Sequence, residues 1–406
     1  MRVVVIGGGI VGLASAYELA DRGADVVVCE RGTVGSGSTE RSVGGIRAQF
    51  SSPVNVDLSL ESIDVWETFD ERFGVDVQYR RTGYLFLARS AETAAAFDDR
   101  VAMQTDRGVP SEVLSPEAAH ERSPAVDPET VVAATYSPTD GFADPHLALQ
   151  GYARAATDAG VDVRTKTPVT DVLTERDWRS SEQGGERSGA GSGERSSESS
   201  TRVAGVETPD GRLEAEFVVN AAGPWAGRIA AMADVDLPIT PKRRQVAVAR
   251  PETPISEDDP LIVDLEGGTY VRPERDGDAL VGGHVGSSDP ECDSDGYRTS
   301  MDFEWAADAL EAVASWTTAF GPESAIKRGW AGLYAVTPDD TAIVEESVPG
   351  FVTAAGFSGH GFQHAPATGK LVAELVVDGE LSLVDADALS SDRFADERER
   401  GERNVV

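Results

Sequence analysis

The stretch Val3–Glu30, VVVIGGGIVGLASAYELADRGADVVVCE, decides the fold of this chain. Its β-branched run Val3–Ile6 predicts a buried strand, and the glycine-rich GGGIVG of Gly7–Gly12 follows it directly. LASAYELADR, at Leu13–Arg22, then predicts a helix, and VVVC at Val26–Cys29 predicts a second strand. The order of strand, glycine turn, helix and strand predicts a βαβ unit.

Each part of this unit has a mechanical role in binding a dinucleotide. Gly7 permits the tight turn, Gly9 lets backbone N–H groups approach a pyrophosphate, and Gly12 lets the helix pack closely on the strand. The helix N-terminus attracts phosphate charge, and Glu30, at the end of the second strand, can accept a hydrogen bond from a ribose hydroxyl. The motif alone leaves both FAD and NAD open.

Composition narrows the classes of partner. The 406 residues allow two domains or one large composite domain, and the net charge of −34 argues against nucleic acid and anionic membranes as partners. Only four of the 36 basic residues are lysine, which is typical of a protein from a halophile, where concentrated ions screen an acidic surface.

Two cysteines, Cys29 and Cys292, are too few for a disulfide framework, and no CxxC spacing is present, so we expect a cytoplasmic protein. The spacing of His, Cys, Asp and Glu suggests no metal site. No apolar run reaches the ~18 residues of a transmembrane helix, so no membrane span is expected.

Seven further segments carry a family resemblance. They are GSGSTERSVGGIR (Gly35–Arg47), TGYLFLA (Thr82–Ala88), DGFADPHLALQGYARAATDAGVDV (Asp140–Val163), VVNAAGPWAG (Val218–Gly227), YVRPERDGDALVGG (Tyr270–Gly283), GLYAVTPDDTAIV (Gly332–Val344) and AAGFSGHGFQHAPATGKLVAEL (Ala354–Leu375). In this order they resemble the D-amino-acid oxidase superfamily of flavoenzymes, in particular its sarcosine oxidase and dehydrogenase, proline dehydrogenase β-subunit and glycine oxidase branches.

The resemblance implies an α/β (α+β) fold, in which a Rossmann-like FAD-binding domain is interleaved with a mixed-sheet substrate domain. The FAD-binding domain would comprise residues 1–82, 141–226 and 328–390, and the substrate domain residues 83–140 and 227–327. Residues 180–200 are almost entirely Ser, Gly and Glu, so we expect a disordered loop there. Residues 391–406 are expected to form a solvated tail.

The last segment also indicates a site by its own pattern. Phe351–Ala355 predicts a strand, GFSGHGF at Gly356–Phe362 predicts a glycine-rich turn, and Pro366 and Thr368 predict a helix that begins after them. A helix start aimed at a flavin offers unpaired N–H groups and a positive dipole end, which favours an anionic reduced ring.

The motif and the resemblance together imply the residues that contact FAD. They are Gly7, Gly9, Ile10, Val11, Gly12, Glu30, Arg31, Ser38, Thr39, Gly44, Gly45, Ile46, Val169, Ala222, Gly223, Trp225, Gly356, Gly359, His360, Gly361, Phe362 and Gln363. Relatives attach the flavin through a cysteine where Gly332 stands here, or through a histidine where Arg41 stands. Because both anchors are missing, we expect the FAD to be bound non-covalently.

The resemblance also implies the residues on the substrate side. They are Arg47, Tyr270, Arg272, Tyr334, His360 and Gln363. Gln363 replaces a lysine that helps sarcosine oxidases hold the substrate carboxylate, so a cation must come from elsewhere, and Arg47 and Arg272 are the candidates. His284 and His364 have weaker claims to a role.

The implied activity is oxidation of the C–N bond of a small amino acid or N-alkyl amino acid of the sarcosine, proline, glycine or D-amino acid type, by hydride transfer to the flavin. Leu280 replaces a lysine that promotes reaction with oxygen in the oxidases, so we expect a dehydrogenase that passes electrons to a carrier. A flavin-dependent 2-hydroxy-acid dehydrogenase and a non-enzymatic flavoprotein assembly factor remain alternatives. Similarity of the early loop to multi-subunit relatives leaves a partner subunit or a homo-oligomer open.

Overall fold

The computed structural model describes residues 1–182, 202–286, 289–395 and 401–404. Its strands in chain order are β1 Arg2–Ile6, β2 Asp25–Cys29, β3 Gly45–Ile46, β4 Tyr84–Ala88, β5 Glu112–Leu114, β6 Ala133–Ser137, β7 Gly141–Phe142, β8 Asp162–Arg164, β9 Asp171–Thr174, β10 Val203–Thr208, β11 Gly211–Glu214, β12 Phe217–Asn220, β13 Thr240–Arg250, β14 Leu261–Asp264, β15 Thr269–Pro273, β16 Ala279–Gly283, β17 Ala325–Val336, β18 Ile343–Val348 and β19 Phe351–Ala355. Its α-helices are α1 Ile10–Asp21, α2 Pro53–Glu67, α3 Phe69–Phe73, α4 Ala91–Ala94, α5 Phe97–Asp106, α6 Pro116–Arg122, α7 Pro145–Asp158, α8 Glu175–Glu182, α9 Ala226–Met232, α10 Phe303–Ala314 and α11 Gly361–Ala373.

The expected α/β architecture is confirmed by a mostly parallel sheet in the order β18-β19-β12-β1-β2-β8. β1 pairs in parallel with β2 and with β12, and β19 continues the parallel order on the other side of β12. A parallel sheet is covered on both faces, which explains why every side chain from Val3 to Ile6 is buried. The carboxyl ends of β1, β2, β12 and β19 therefore meet at one edge, where open α/β sheets bind ligands.

A second large sheet is mixed, in the order β17-β13-β16-β15-β14-β4-β6-β5. Its strands pair antiparallel except for β14 and β4, which pair in parallel. Helix α10 packs against β15 and β16, and its Ala309 and Val313 join Trp316 in the apolar cluster on that face. Two small antiparallel sheets, β11-β10-β9 and β3-β7, complete the part of the chain that the structure describes.

The helices that cover the parallel sheet pack at short range on one another. A Cβ at Gly369 of α11 would lie 2.8 Å from the Ala14 carbonyl oxygen of α1, so the contact of these two helices requires the missing side chain. Helix α2 packs on the other side of α11, and α7 packs on α1. Trp66 and Phe69 fill the space between them as fully buried stacked rings, 5.3 Å apart. This packing fixes α11 at the edge where the strands end.

The structure differs from the predicted boundaries in three places. Helix α11 begins at Gly361 and contains Pro366, although the proline predicted a later start, because its packing on α1 and α2 overrides the local cost of the missing N–H. The boundary drawn at residue 328 cuts through β17, which pairs with β13 in the mixed sheet. The boundary at 226 cuts off α9, whose Ile229 and Ala230 pack in the cluster under the parallel sheet.

The two segments expected to lack structure are only partly described. The loop predicted for 180–200 lies outside the described residues from 183 onward, and its first three residues belong to α8. The solvated tail predicted for 391–406 is wrong at Glu402 and Asn404, whose side chains are 5% and 4% exposed. Partners distant in sequence bury these two residues, as described below.

Candidate active site

A cavity of about 500 Å³ lies between the two large sheets. Residues that follow β1, β2 and β12 line one part of it, and side chains from β4, β13, β14, β15 and β17 line the other. We call the second part the substrate half and define it by Arg47, Tyr84, Phe86, Tyr270 and Tyr334. The first part, the dinucleotide half, includes Glu30 and Asp295.

The glycine turn shows which glycines the fold itself requires. Gly7 has φ = +109°, and a Cβ there would lie 2.5 Å from the Ala221 carbonyl oxygen. A Cβ at Gly12 would clash with the Gly7 carbonyl. At Gly9, in contrast, the nearest described atom to such a Cβ is Thr39 Oγ1 at 3.4 Å. The fold thus requires Gly7 and Gly12, whereas Gly9 keeps a cradle open on the cavity wall for a close-fitting group.

Glu30 joins this turn to the loop after β2 through hydrogen bonds. One carboxylate oxygen accepts the Gly8 N–H at 2.8 Å, and the other accepts the Gly32 N–H at 2.6 Å. A carboxylate has about four acceptor positions, so two remain for hydroxyl groups in the cavity. This is the geometry expected for a ribose ligand beside a dinucleotide turn.

The other end of the dinucleotide half is closed by a residue that the sequence analysis did not select. Asp295 Oδ1 accepts from Arg31 Nη1 at 2.6 Å and from Trp225 Nε1 at 2.8 Å. The Arg31 guanidinium lies 3.9 Å from the Trp225 ring centroid, and Arg228 pairs with the second oxygen of Asp295. These hydrogen bonds hold the pKa of Asp295 at about 2, so the carboxylate stays ionised.

The loop Ser36–Arg41 crosses the cavity and is fastened at both sides. Thr39 Oγ1 accepts the Ile10 N–H of α1 at 3.1 Å, and Ser38 Oγ donates to the Leu333 carbonyl at 2.7 Å. Arg41 Nη1 donates to the carbonyls of Ser36 and Gly37, at 2.7 and 2.6 Å. The loop therefore joins the two sheets along the cavity.

Arg47 is the buried cation of the substrate half. Its guanidinium donates to the carbonyls of Gln49 at 2.7 Å and Asn404 at 2.5 Å, and it lies 3.7 Å from the Phe50 ring centroid. Burial lowers the pKa of Arg47, and Glu402 acts against that effect most strongly. Within the described ranges no carboxylate forms an ion pair with Arg47, so its guanidinium lines the cavity without a directly bound anion.

Gln363 fixes the backbone that carries this arginine. Its Oε1 accepts the Arg47 N–H and its Nε2 donates to the Arg47 carbonyl, each at 3.2 Å. The Gln363 carbonyl in turn accepts from Trp66 Nε1 at 2.9 Å. In this structure Gln363 positions Arg47, and its Nε2 also lies 3.1 Å from His364 Nε2.

His360 and His364 form a neutral pair beneath the cavity. The Asp340 carbonyl accepts from His360 Nε2 at 2.9 Å, which leaves His360 Nδ1 to accept from His364 Nδ1 at 3.2 Å. Burial lowers the pKa of His360 to about 4 and that of His364 well below its ordinary value. Both ring nitrogens of His360 are therefore occupied within the protein, and its ring has no N–H left for a flavin or a substrate.

The remaining substrate-side predictions separate into two groups. Tyr270 and Tyr334 line the cavity, and burial raises the pKa of both phenols, so they are neutral donors. The Tyr334 ring occupies the position where a side chain at Gly359 would lie. Arg272 does not line the cavity, because its guanidinium is bound to the Val43 carbonyl at 2.5 Å and to Glu274 at 2.7 Å.

Most of the residues expected at the cofactor line this cavity. The exceptions are Gly12, Gly44, Ile46 and Gly356. Of the weaker candidates, neither His284 nor His364 lines it. Cavity residues that the sequence analysis missed are Tyr84, Phe86, Arg244, Asp295 and Asn404. Tyr84 and Phe86 alternate along β4 with Leu85 and Leu87, which pack in a different apolar cluster, and could have been selected from that period, whereas the other three have no local signal.

The described residues form neither of two other kinds of site. No group of three or more His, Cys, Asp or Glu side chains there could hold a metal ion. None of the helices in those ranges combines the length and apolar character needed to cross a membrane.

Comparison with known proteins gives concordant matches over nearly the whole chain. Residues 2–375 match the family model DAO, described as FAD dependent oxidoreductase. FAD-dependent oxidoreductase domain-containing protein 1 of Xenopus laevis is 32% identical, over 100% of this chain and 84% of that protein. Mitochondrial dimethylglycine dehydrogenase of Rattus norvegicus is 28% identical over 93% of this chain, which spans 43% of that protein. The crystal structure of L-proline dehydrogenase from P. horikoshii is 33% identical with a TM-score of 0.83, and 97% of each chain is covered.

Proposed function

This chain belongs to the DAO family of FAD-dependent oxidoreductases, and we propose that it oxidises the C–N bond of a small amino acid or N-alkyl amino acid. FAD is the cofactor of the family, and the open cradle at Gly9 and the unused acceptor positions of Glu30 fit it. When bound, FAD supplies the acceptor for two electrons from the carbon next to nitrogen.

The observation that carries this proposal is that Arg47 has no ion-pair partner among the described residues. A buried guanidinium requires an anion or a full set of acceptors, and two of its five N–H groups are used by main-chain carbonyls. A substrate carboxylate, held by two parallel N–H···O bonds, matches the planar guanidinium. Arg47 thereby orients the α-carbon of the substrate in the cavity.

The substrate half offers no acidic partner for an ammonium group. Among the described residues, the acidic side chains that line the cavity are Glu30 and Asp295, both in the dinucleotide half. An amine therefore enters with its nitrogen neutral, which is the form that can release electrons. The neutral phenols of Tyr84, Tyr270 and Tyr334 can orient it, and Phe86, Leu261 and Val263 exclude water.

We further propose that the enzyme is a dehydrogenase. By the family resemblance Leu280 stands where the oxidases carry a lysine, and its apolar side chain packs in a cluster with Val246 and Val43, which line the cavity. Without a cation there, oxygen reduction should be slow and electrons pass to a carrier. A cytoplasmic location, and association with a partner subunit or a second copy, remain predictions from the sequence.

The decisive experiment is anaerobic mixing of the FAD-loaded protein with sarcosine, proline, glycine and D-alanine, and in parallel with lactate and other 2-hydroxy acids. Loss of the oxidised flavin absorbance with an amino acid is the expected result. Loss with a hydroxy acid alone indicates a 2-hydroxy-acid dehydrogenase. No loss with either panel, in a protein that dithionite still reduces, favours the non-enzymatic flavoprotein.

A further inference from the structure

We propose that residues 402–404 complete the substrate site, with Asn404 as the positioning residue that clamps Arg47. The Asn404 main-chain oxygen accepts from Arg47 Nη2 at 2.5 Å, and Asn404 lines the cavity. Its side-chain Nδ2 donates at 3.0 Å to the Gln49 carbonyl, the same oxygen that accepts from Arg47 Nη1 at 2.7 Å. Arg47, Gln49 and Asn404 thus form one closed set of hydrogen bonds.

A buried carboxylate anchors this segment. Glu402 Oε1 accepts from the Ser51 N–H and hydroxyl at 2.7 and 2.6 Å. Its Oε2 accepts from the Ser52 N–H and hydroxyl at 3.0 and 2.9 Å, and from Asn55 Nδ2 at 3.3 Å. Ser52 is the N-cap of α2, so Glu402 places its charge at the positive end of that helix.

The Glu402 carboxylate also acts on Arg47 electrostatically, although the two side chains form no ion pair. Glu402 is the strongest of the neighbouring groups that keep the pKa of Arg47 from falling further. The pKa of Glu402 itself is lowered by the Ser51 hydrogen bonds and by Arg47, against the effect of burial, so the carboxylate is ionised. The segment therefore places a negative charge near Arg47 while leaving the three other N–H groups of Arg47 for a ligand.

A third hydrogen bond prevents rotation of the Asn404 side chain. Its Oδ1 accepts from Arg100 Nη1 of α5 at 2.8 Å. Asn404 is thus held by its main-chain oxygen, which binds Arg47, and by its side-chain amide, which binds Gln49 and Arg100. A guanidinium fixed in this way loses less conformational entropy when it binds a carboxylate, so its affinity is higher than that of a mobile arginine.

The inference rests on one premise of the proposed function, which is that the ligand of Arg47 is a carboxylate. Its test therefore uses sodium acetate, which requires no turnover. The FAD-loaded protein is titrated with acetate, and binding is followed by the change in the flavin absorption spectrum. The variants are Asn404→Ala, a chain that ends at Gly401, and Arg403→Ala as the matched control, because the Arg403 side chain is exposed.

We expect Asn404→Ala to weaken acetate binding about tenfold, because it keeps the main-chain oxygen on Arg47 but loses the side-chain hydrogen bonds to Gln49 and Arg100 that hold that oxygen in place. The chain that ends at Gly401 should weaken it further, and Arg403→Ala should bind as the unmodified protein does. FAD retention should be unchanged in Asn404→Ala. With a substrate from the anaerobic panel, KM should rise in that variant more than kcat falls.

Acetate binding that is equal or tighter in Asn404→Ala and in the shortened chain would overturn the inference while leaving the proposed function intact. If the unmodified protein binds acetate but oxidises no member of either panel, the proposed function fails and the acetate constants still test the clamp. If acetate perturbs the flavin in none of the proteins, the carboxylate site itself is wrong and the inference falls with it.

Discussion

A Cβ added at Gly332 would lie 3.0 Å from Cβ of Arg41, so the two positions where relatives attach their flavin face each other across one contact. Neither side chain here can form the bond, because glycine has no nucleophile and the Arg41 guanidinium is bound to the Ser36 and Gly37 carbonyls. We predict that acid precipitation releases all of the FAD into the supernatant. Yellow colour in the washed pellet would contradict this prediction.

Replacing Arg47 tests the substrate cation. Arg47→Lys keeps the charge but loses the planar pair of donors, so KM for the amino acid, or Kd for acetate, should rise about 100-fold. Arg272→Lys should leave these constants close to those of the unmodified protein, because Arg272 is bound to Glu274 and the Val43 carbonyl outside the cavity wall. A larger rise of these constants in Arg272→Lys than in Arg47→Lys would show that Arg272, and not Arg47, binds the carboxylate.

Asp295 should govern how long FAD stays bound. Its hydrogen bonds to Arg31 and Trp225 close the dinucleotide half, so Asp295→Asn should release FAD about fivefold faster, as expected for exposed charge pairs acting together. The rise of FAD fluorescence after dilution measures the rate. Asp378→Asn is the control, since Asp378 pairs with Arg22 at a similar exposure and does not line the cavity.

Because the Asp295 pairs are half exposed, molar KCl should reduce the difference between Asp295→Asn and the unmodified protein. If both release FAD at the same rate at low salt, the cluster does not retain the cofactor.

The buried histidines predict the acid side of the stability curve. His360 has a pKa of about 4 when folded and an ordinary one when unfolded, so the unfolded chain binds more protons between these values. Stability is therefore lost as the pH falls from about 6.5 towards 4. Asp140 acts in the opposite sense, since burial raises its pKa to about 6 and its contribution is lost as the pH rises through that range.

The variant His360→Gln removes the contribution of His360 and keeps that of His364. Between pH 7 and pH 5 it should lose roughly 2 kcal/mol less unfolding free energy than the unmodified protein, measured by urea denaturation. His146→Gln is the control, because His146 is exposed. If His360→Gln and His146→Gln lose equal amounts of unfolding free energy between pH 7 and pH 5, the His360 ring is already protonated in the folded protein at pH 5.

The dinucleotide turn could be predicted from the sequence because its determinants are local. Gly7, Gly12 and Glu30 lie within one βαβ unit, and the contacts of Gly12 and Glu30 fall in or next to that unit, whereas Gly7 also meets Ala221 after β12. Arg47 and Gln363 could be selected as site residues only through the resemblance. The Gln363 side chain binds the Arg47 backbone across 316 residues of sequence, and neither segment carries a signal for this contact.

The segment 401–404 shows why the remainder of the site was missed. Glu402 and Asn404 lie in a run of charged residues that cannot bury apolar area, and such a run predicts a solvated tail. Their burial depends on donors from Ser51, Ser52 and Arg100, all some 300 residues or more away in sequence. Hydrophobic periodicity reports apolar faces and gives no signal for a buried hydrogen-bonded carboxylate.

The acidic composition leads to the last prediction, that the folded protein requires salt. With a net charge of −34 the native surface repels itself, and screening by ions relieves this repulsion more in the compact state than in the expanded chain. The Tm should therefore rise steeply with KCl and level off near about 1 M, where the Debye length falls to roughly 3 Å. A Tm that rises linearly through about 3 M would instead indicate exclusion of ions from the surface. A flat Tm would show that the repulsion is negligible and would remove the argument for a halophilic protein.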